Sequence, residues 1–230
     1  MHIPDGYLSP QTYIPLWGVF VGFISIALKK LKRSLTIRNI PYLSMASAFT
    51  FLIMMFNIPI PGGTSGHVVG ASVIAIILGP WAAVVSVSVA LIIQSLIFGD
   101  GGVTAIGANC FNMAVVMPFV SYYIFKWING KFIGGKRTYL AAFLAGYIGI
   151  NVTAVVAAIL FGIQPLIAST PQGQPLYAPY GLEIALPAMM LEYLLIFGFI
   201  EGFVTAMLLK YFIKNEPELI YSLKINKTND

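Results

Sequence analysis

Apolar residues fill this chain in long runs that are separated by short polar or glycine-rich turns. Each run is long or apolar enough to supply a helix, and the runs cover residues 11–28, 40–57, 67–79, 80–98, 103–126, 138–162 and 183–213. Helices are expected because backbone groups in lipid must satisfy their hydrogen bonds within the segment. The pattern therefore predicts an all-α polytopic membrane protein with seven transmembrane helices. We expect one transmembrane domain over residues 1–214 and a polar tail at 215–230.

The composition supports a membrane protein and excludes several other classes. Hydrophobic residues make up 58% of the chain and charged residues 9%, whereas soluble domains average about 25% charged residues. The single cysteine, Cys110, excludes an intrachain disulfide framework. The beginning of the chain lacks the basic and apolar regions of a signal peptide, so we expect an uncleaved N-terminus. No basic stretch is interleaved with aromatic residues, which argues against a nucleic-acid partner and leaves membrane lipid as the expected surroundings.

The number of crossings depends on residues 67–98, which could form one long helix or two helices joined at Gly79-Pro80. Two helices are favoured because Gly-Pro breaks helices and because seven crossings place all 13 Lys and Arg residues on one side. The positive-inside rule makes that side cytoplasmic, with the N-terminus outside and the C-terminal tail inside. The run at 67–79 spans only about 20 Å as a helix. We therefore expect the loop at 57–66 to dip into the membrane ahead of it.

The two histidines provide the most specific candidate chemistry. His2 directly follows Met1, and the other histidine is His67. The terminal amine and the His2 amide can close a five-membered ring on a metal, and the amide and Nδ1 of His2 a six-membered ring. His67 is able to supply a fourth nitrogen, and four nitrogens in a plane suit Ni(II) or Cu(II). The alternative is that His2 is a solvated terminal residue. The predicted topology favours the metal site because it places both histidines on the outer side.

Several polar residues near these segments are candidates for supporting the metal ligands. The glycine-rich stretch at 100–112 is either a plain outer loop or a lining of the site. The residues that we predict to support the site are Asp5, Asn57, Thr64, Ser65, Asn109 and Asn112.

Enzymatic functions are not supported by the sequence. The spacing of Gly130, Gly135 and Lys136 resembles a P-loop, but Arg137 stands where Ser or Thr must hold Mg²⁺, so we expect no nucleotide site. Ser65 and His67 do not form a catalytic set by themselves. We therefore predict that the chain is not an enzyme.

Small residues and one intramembrane carboxylate are candidates for contacts with a partner. Ser44 and Ala48 form a small-xxx-small step, as do Ala46 and Thr50, and such faces let helices approach closely. Each step serves either internal packing or docking to another membrane subunit. Glu201 lies within an apolar run, where a carboxylate normally faces the bundle interior or a partner. It is predicted either to couple to a partner subunit or to accept an internal hydrogen bond.

Five motifs together resemble one family of metal transporters. The chain begins MHIPDGYLSP, and similar motifs follow at residues 59–67, 78–82, 98–102 and 107–113. By these motifs the chain resembles the CbiM/NikM family, the substrate-specific (S) components of energy-coupling factor (ECF) transporters for cobalt or nickel. The resemblance implies an S-component core of six helices plus an extra N-terminal helix, in a prokaryotic plasma membrane. It also implies a metal held by the Met1 amine, the amide and imidazole nitrogens of His2, and His67.

The resemblance also implies the function and the partners. We expect a subunit that captures Ni(II) or Co(II) outside the cell as transported cargo and binds no nucleotide itself. Its expected partners are a transmembrane coupling (T) subunit, two ATPase (A) subunits and a small accessory membrane subunit. The alternative is a self-sufficient secondary transporter or channel for divalent metals. That alternative calls for inward-facing acidic residues along a path or for an internal repeat, and the sequence shows neither.

Overall fold

The architecture is taken from a computed structural model that describes residues 1–34, 40–130 and 134–220. Some of the 13 Lys and Arg residues on which the predicted topology rests, including Arg38 and Lys131, lie outside the described residues. So does most of the predicted polar tail, from residue 221 onward.

The described residues form a helical bundle with one small hairpin. Helices α1 and α2 are followed by strands β1 and β2, and then by helices α3 to α8. α5 contains a π-helical stretch at Cys110–Val116, and α8 contains another at Tyr193–Phe197. The bounds are α1 Pro10–Ser34, α2 Ile40–Met54, β1 Ile58–Pro59, β2 Ser65–Gly66, α3 Ala71–Leu78, α4 Pro80–Phe98, α5 Ile106–Asn129, α6 Gly135–Gly162, α7 Gln164–Ile167 and α8 Leu182–Asn215.

These helices confirm the predicted all-helical class and the positions of the apolar runs. Gly79 has a φ of 94° and separates α3 from α4. Residues 67–98 therefore do form two helices. Within the described residues, five helices are long and apolar enough to cross a membrane, and α2 is a shorter apolar helix. The eight residues of α3 span only about 12 Å. The predicted count of seven transmembrane helices therefore depends on the segment before α3 and stays a prediction.

The core includes small residues that allow close helix approach. α6 packs against α8, and Gly146 lies in the contact between them. A Cβ placed on Gly146 would lie 2.8 Å from the hydroxyl of Thr205 and 2.9 Å from the carbonyl of Glu201. Only glycine fits there without movement of α8, as is common where helices pack tightly in membranes.

The first nine residues enter the end of this bundle outside any helix or strand, with a turn at Asp5-Gly6, before α1 begins. Met1, Ile3 and Leu8 are no more than 2% exposed. Most residues of α1 are exposed or half-buried, so α1 lies at the edge of the bundle. Ala178 donates its backbone N–H to the carbonyl of Tyr7, which brings the loop between α7 and α8 against the N-terminal segment. The chain terminus is therefore enclosed by the rest of the protein.

Candidate metal site

The N-terminal segment is held by the loop between α4 and α5 and by the first turn of α5. The side chain of Asn109 binds both backbone groups of Ile3: its Oδ1 accepts from the Ile3 N–H at 2.9 Å, and its Nδ2 donates to the Ile3 carbonyl at 3.1 Å. The same carbonyl accepts from the Gly102 N–H at 2.9 Å. These hydrogen bonds engage both backbone groups of Ile3, as a neighbouring β-strand would. They therefore fix the residue that directly follows His2.

Asp5 adds a second attachment to the same loop. Its carboxylate accepts hydrogen bonds from the backbone N–H of Val103 and from both the backbone N–H and the hydroxyl of Thr104. The side-chain hydrogen bond from Thr104 is the main reason that the pKa of Asp5 lies below its usual value. A Cβ on Gly102 would lie 2.3 Å from the Asp5 amide nitrogen, so glycine is required where the two backbones meet.

The two histidine rings lie against each other inside this enclosure. Their centroids are 4.5 Å apart and their planes differ by 26°, and His2 is 4% and His67 0% exposed. His2 Nε2 lies 3.2 Å from Oε1 of Gln94, and His67 Nδ1 lies 3.1 Å from the carbonyl of Val68. Both oxygens only accept hydrogen bonds, so each of these two ring nitrogens carries a proton.

The remaining nitrogen of each ring is a buried lone pair without a hydrogen-bond donor. His2 Nδ1 and His67 Nε2 are both fully buried and have no hydrogen-bond partner among the described residues. The closest polar contact of His2 Nδ1 is Asp100 Oδ1 at 3.5 Å, which is longer than a normal hydrogen bond. Hydrogen bonding of one ring nitrogen to an oxygen commonly fixes the tautomer in which the other nitrogen binds a metal.

The Met1 amine completes a group of nitrogen atoms at the same place. It donates to the carbonyl of Ser65 in β2, and it lies 3.4 Å from the Ser65 hydroxyl and 3.3 Å from the hydroxyl of Tyr193. Tyr193 also donates to the Ser65 carbonyl at 3.2 Å and accepts from the His67 backbone N–H at 3.2 Å. The Tyr193 hydroxyl on α8 therefore contacts the N-terminus, the hairpin and the backbone of His67.

Burial favours the uncharged forms of the Met1 amine and the His2 imidazole. Desolvation lowers the pKa of the Met1 amine to about 4, against an attraction to Asp100 that raises it. Desolvation, followed by repulsion from the nearby terminus, lowers the pKa of His2 to about 3. Each group therefore presents a lone pair rather than a proton, as a metal ligand must.

The predicted supporting residues are distributed unevenly around the site. Asp5, Ser65 and Asn109 hold the terminal segment in the ways described above. Asn57 lies at the surface, where its Nδ2 donates to Asp100 Oδ2 at 3.2 Å. Thr64 has a buried hydroxyl without a partner among the described residues. Asn112 instead donates to the carbonyl of Thr153 in α6 at 3.0 Å, so its described contact belongs to the packing of the helices.

The residues considered for docking separate into an exposed and a buried group. Ser44 and Ala48 are exposed on α2, whereas Ala46 and Thr50 are buried. Glu201 is fully buried, and its Oε2 accepts from the backbone N–H groups of Val69 and Gly70 at 2.9 and 3.0 Å. Of the two alternatives for Glu201, the structure shows the internal hydrogen bond. Its carboxylate sits at the N-terminus of α3, where negative charge is favourable.

Gln94 and Tyr193 are the two site residues that sequence reasoning undervalued or missed. Gln94 is a polar residue in an apolar run, and such residues usually face a partner inside the bundle, so its position carried a weak signal. Tyr193 carried no such signal, because tyrosine is common in membrane proteins and because its partner His67 lies 126 residues away in the sequence. Only the tertiary structure brings the phenol to the terminus.

Side chains alone do not form a conventional metal cluster here. Across residues 1–34, 40–130 and 134–220, no group of three or more His, Cys, Asp and Glu side chains could hold a metal ion. A metal at the two histidines would therefore need further donors from the backbone, and the Met1 amine and the His2 amide are the nitrogens that the sequence places there.

The fold and the enclosed terminus together define a multi-pass membrane protein with a nitrogen-rich site at its N-terminus. The family model "CbiM: Cobalt uptake substrate-specific transmembrane region" matches residues 2–219. The chain belongs to this CbiM family, as its motifs predicted.

Named relatives and solved structures agree with that membership. The chain is 49% identical to the fused nickel transport protein NikMN of Rhodobacter capsulatus over 96% of its own length and 64% of that protein. It thus spans less than two thirds of this relative. A metal transport protein of Methanocaldococcus jannaschii is 43% identical, with 96% of each chain covered. The crystal structure of a truncated transition metal transporter matches with a TM-score of 0.90 and 46% identity, over 93% of this chain and 99% of that chain.

Proposed function

We propose that this chain is the substrate-binding (S) component of an ECF-type transporter that captures Ni(II) or Co(II) outside the cell for uptake. The observation that carries the proposal is the pair of buried imidazole nitrogens, His2 Nδ1 and His67 Nε2, that have no hydrogen-bond partner among the described residues. Other buried polar atoms, such as the Thr64 hydroxyl, also lack a partner among the described residues, but these two are imidazole nitrogens on neighbouring rings. Two unpaired lone pairs on stacked rings, beside an uncharged amine, are what a transition metal ion would bind.

The proposed ligands are the Met1 amine, the amide and Nδ1 of His2, and Nε2 of His67. The unpaired nitrogen of His2 is the same Nδ1 that the chelate ring requires, which was not imposed by the sequence argument. Imidazole and amine nitrogens suit Ni, Co and Cu ions rather than Mg or Ca. The name of the family model refers to cobalt, and that of the Rhodobacter relative to nickel. Both metals are therefore proposed as cargo of this chain.

The transport role requires other subunits in this proposal. A T subunit and two A subunits would provide the energy, and a small accessory membrane subunit is a further partner. The exposed Ser44 and Ala48 on α2 line a groove of about 540 Å³ between α2 and α4, and small exposed residues suit the close approach of a partner helix. In the proposed topology, seven segments cross the membrane as a six-helix core plus α1, with the N-terminus outside and the C-terminus in the cytoplasm.

The chelate can be tested by moving the amine away from His2. Inserting one alanine between Met1 and His2 should weaken nickel binding by more than about a hundredfold, since loss of supporting residues alone commonly costs 10–100-fold. Isothermal titration calorimetry on the purified chain measures the affinity. The matched control is one alanine inserted between Pro171 and Gln172 in an exposed loop, which should bind as the wild type does. Unchanged affinity in the first variant would refute the proposed ligand set.

Reconstitution separates the substrate-binding role from the self-sufficient transporter. In liposomes, the chain alone should retain nickel at its site but accumulate none inside, with or without ATP. Co-reconstituted T and A subunits should confer ATP-dependent uptake. Accumulation by the isolated chain would instead support a secondary transporter or channel.

A further inference from the structure

Among the described residues, Asp100 is the acidic side chain that faces the proposed ligands directly. Its Oδ1 lies 3.5 Å from His2 Nδ1, the nitrogen that is proposed to bind the metal. The side chain of Asp100 is 21% exposed, whereas that of His2 is 3% exposed. Asp100 therefore reaches from the surface of the protein to the buried ring.

The neighbouring backbone and side chains hold the carboxylate in this place. The Asp100 N–H donates to the carbonyl of Gln94 at the end of α4, at 3.1 Å. Asn57 donates from its exposed amide to Oδ2 at 3.2 Å. One oxygen is thus occupied by Asn57 at the rim, while Oδ1 is the oxygen that points toward the histidine.

The other carboxylate near the terminus is already engaged. Both oxygens of Asp5 accept hydrogen bonds from Val103 and Thr104, and these bonds hold the backbone together. Asp5 therefore serves the attachment of the terminal segment, and Asp100 is the carboxylate whose position suits an incoming cation.

We propose that Asp100 is the entry ligand of the site: its carboxylate binds the hydrated divalent metal ion at the surface and passes it to His2 Nδ1. This inference rests on the proposed function. Water ligands of a hydrated ion can hydrogen-bond to a carboxylate before they are lost, and oxygen donors hold such ions only weakly compared with nitrogen. A weak oxygen donor next to the buried nitrogens gives the ion a first contact without trapping it there.

The expected effect of Asp100 is on the rate of association. The Coulomb attraction between a divalent ion and a carboxylate about 5 Å apart in water raises the local concentration of the ion about tenfold at low ionic strength. Removing the charge should therefore slow binding by about that factor. Added salt should reduce the difference, because it screens charges at an exposed rim.

The experiment is stopped-flow mixing of the purified chain with nickel, followed by the absorbance of the metal centre, alongside calorimetry at equilibrium. Asp100→Asn keeps the shape of the side chain and an oxygen for Asn57, and should lower the association rate constant about tenfold at low salt. Glu183→Gln removes the same charge from an exposed position at the start of α8 and should leave the rate unchanged. Asn57→Ala keeps the charge and should have an intermediate effect.

The possible results separate this inference from the proposed function. An unchanged association rate in Asp100→Asn, with normal nickel binding by the wild type, would overturn the role of Asp100 and leave the metal site standing. A change confined to the dissociation rate would also overturn it, because Asp100 would then act only in the final bound state. Failure of the wild-type chain to bind nickel would overturn the proposed function, and this inference with it.

Discussion

Replacing Asn109 with alanine tests whether the terminal segment must be held in place for metal binding. The substitution removes two hydrogen bonds to Ile3, at 2.9 and 3.1 Å. The Ile3 carbonyl keeps its bond from Gly102, but the buried Ile3 N–H is left without its acceptor. An unpaired buried donor costs about 1–3 kcal/mol, and a typical hydrogen bond contributes about 0.5–1.5 kcal/mol. We therefore expect the docked segment to lose about 2–3 kcal/mol.

Hydrogen exchange measures this loss directly. Amides of residues 3–8 should exchange about 30–150-fold faster in metal-free Asn109→Ala than in the wild type, since 1.4 kcal/mol corresponds to a factor of ten. Nickel affinity should also fall, by at most the same factor, because in the proposed site the metal binds only the docked segment. The affinity falls by the whole of this factor if the segment is mostly undocked in the metal-free variant. Calorimetry in the same buffer gives the affinity.

Asn112→Ala is the matched control, because Asn112 lies one helical turn away on the same helix and is also buried. It loses a bond to Thr153 rather than to the terminal segment. Its thermal stability should fall, while the exchange of residues 3–8 and the nickel affinity should stay near wild-type values. The reasoning is refuted if Asn109→Ala exchanges like the wild type, or if both variants lose affinity equally.

Two further predictions concern the chemistry of the site. Tyr193→Phe removes the hydroxyl that contacts the Met1 amine and the His67 N–H; an unpaired buried donor should cost about 1–3 kcal/mol. Calorimetry should show nickel binding about 5–150-fold weaker in a folded protein, and an unchanged affinity would contradict the role of this phenol. For pH, the pKa values of Met1 and His2 are lowered to about 4 and 3, so between pH 6 and 8 these groups carry no proton that the metal must displace. Only the His2 amide proton is released in the proposed chelate, so affinity should rise about tenfold per pH unit. If the affinity rises by a hundredfold or more per pH unit, two or three protons are released on binding, and the amine or the imidazoles are charged beforehand.

The sequence predicted the helices well because their signal is local. Length and hydropathy locate apolar runs, and Gly79-Pro80 locates the break between α3 and α4. The meeting of the two histidines could be anticipated for a similar reason, because Met1 and His2 are adjacent in sequence and only His67 had to be brought in by topology. The number of crossings was less certain because α3 is an eight-residue helix, too short for length to decide.

Which of the predicted supporting residues contact the terminal segment could not be predicted, because that depends on long-range packing. Asn109 and Asn112 are the same residue type on the same helix, one turn apart, and the sequence treats them alike. A π-helical stretch at Cys110–Val116 begins directly after Asn109 and includes Asn112. Asn109 contacts Ile3, while Asn112 contacts α6. The buried position of Glu201 depends likewise on α3 lying against α8. Such distinctions follow from helix rotation, which hydrophobic patterns constrain poorly when every face is apolar.

The candidate metal site contains polar atoms without a hydrogen-bond partner among the described residues, and these atoms would contribute to its affinity for a metal ion. Leaving a buried polar atom unpaired costs about 1–3 kcal/mol, and His2 Nδ1 and His67 Nε2 are two such atoms among the described residues. Hydrogen bonds from the rings to Gln94 and Val68 prevent them from turning to find other partners. A metal ion that binds both nitrogens would remove this cost without reorganising the rings, and preorganisation of this kind increases affinity. Gln94 and the Val68 carbonyl would therefore contribute to the metal affinity without contacting the metal.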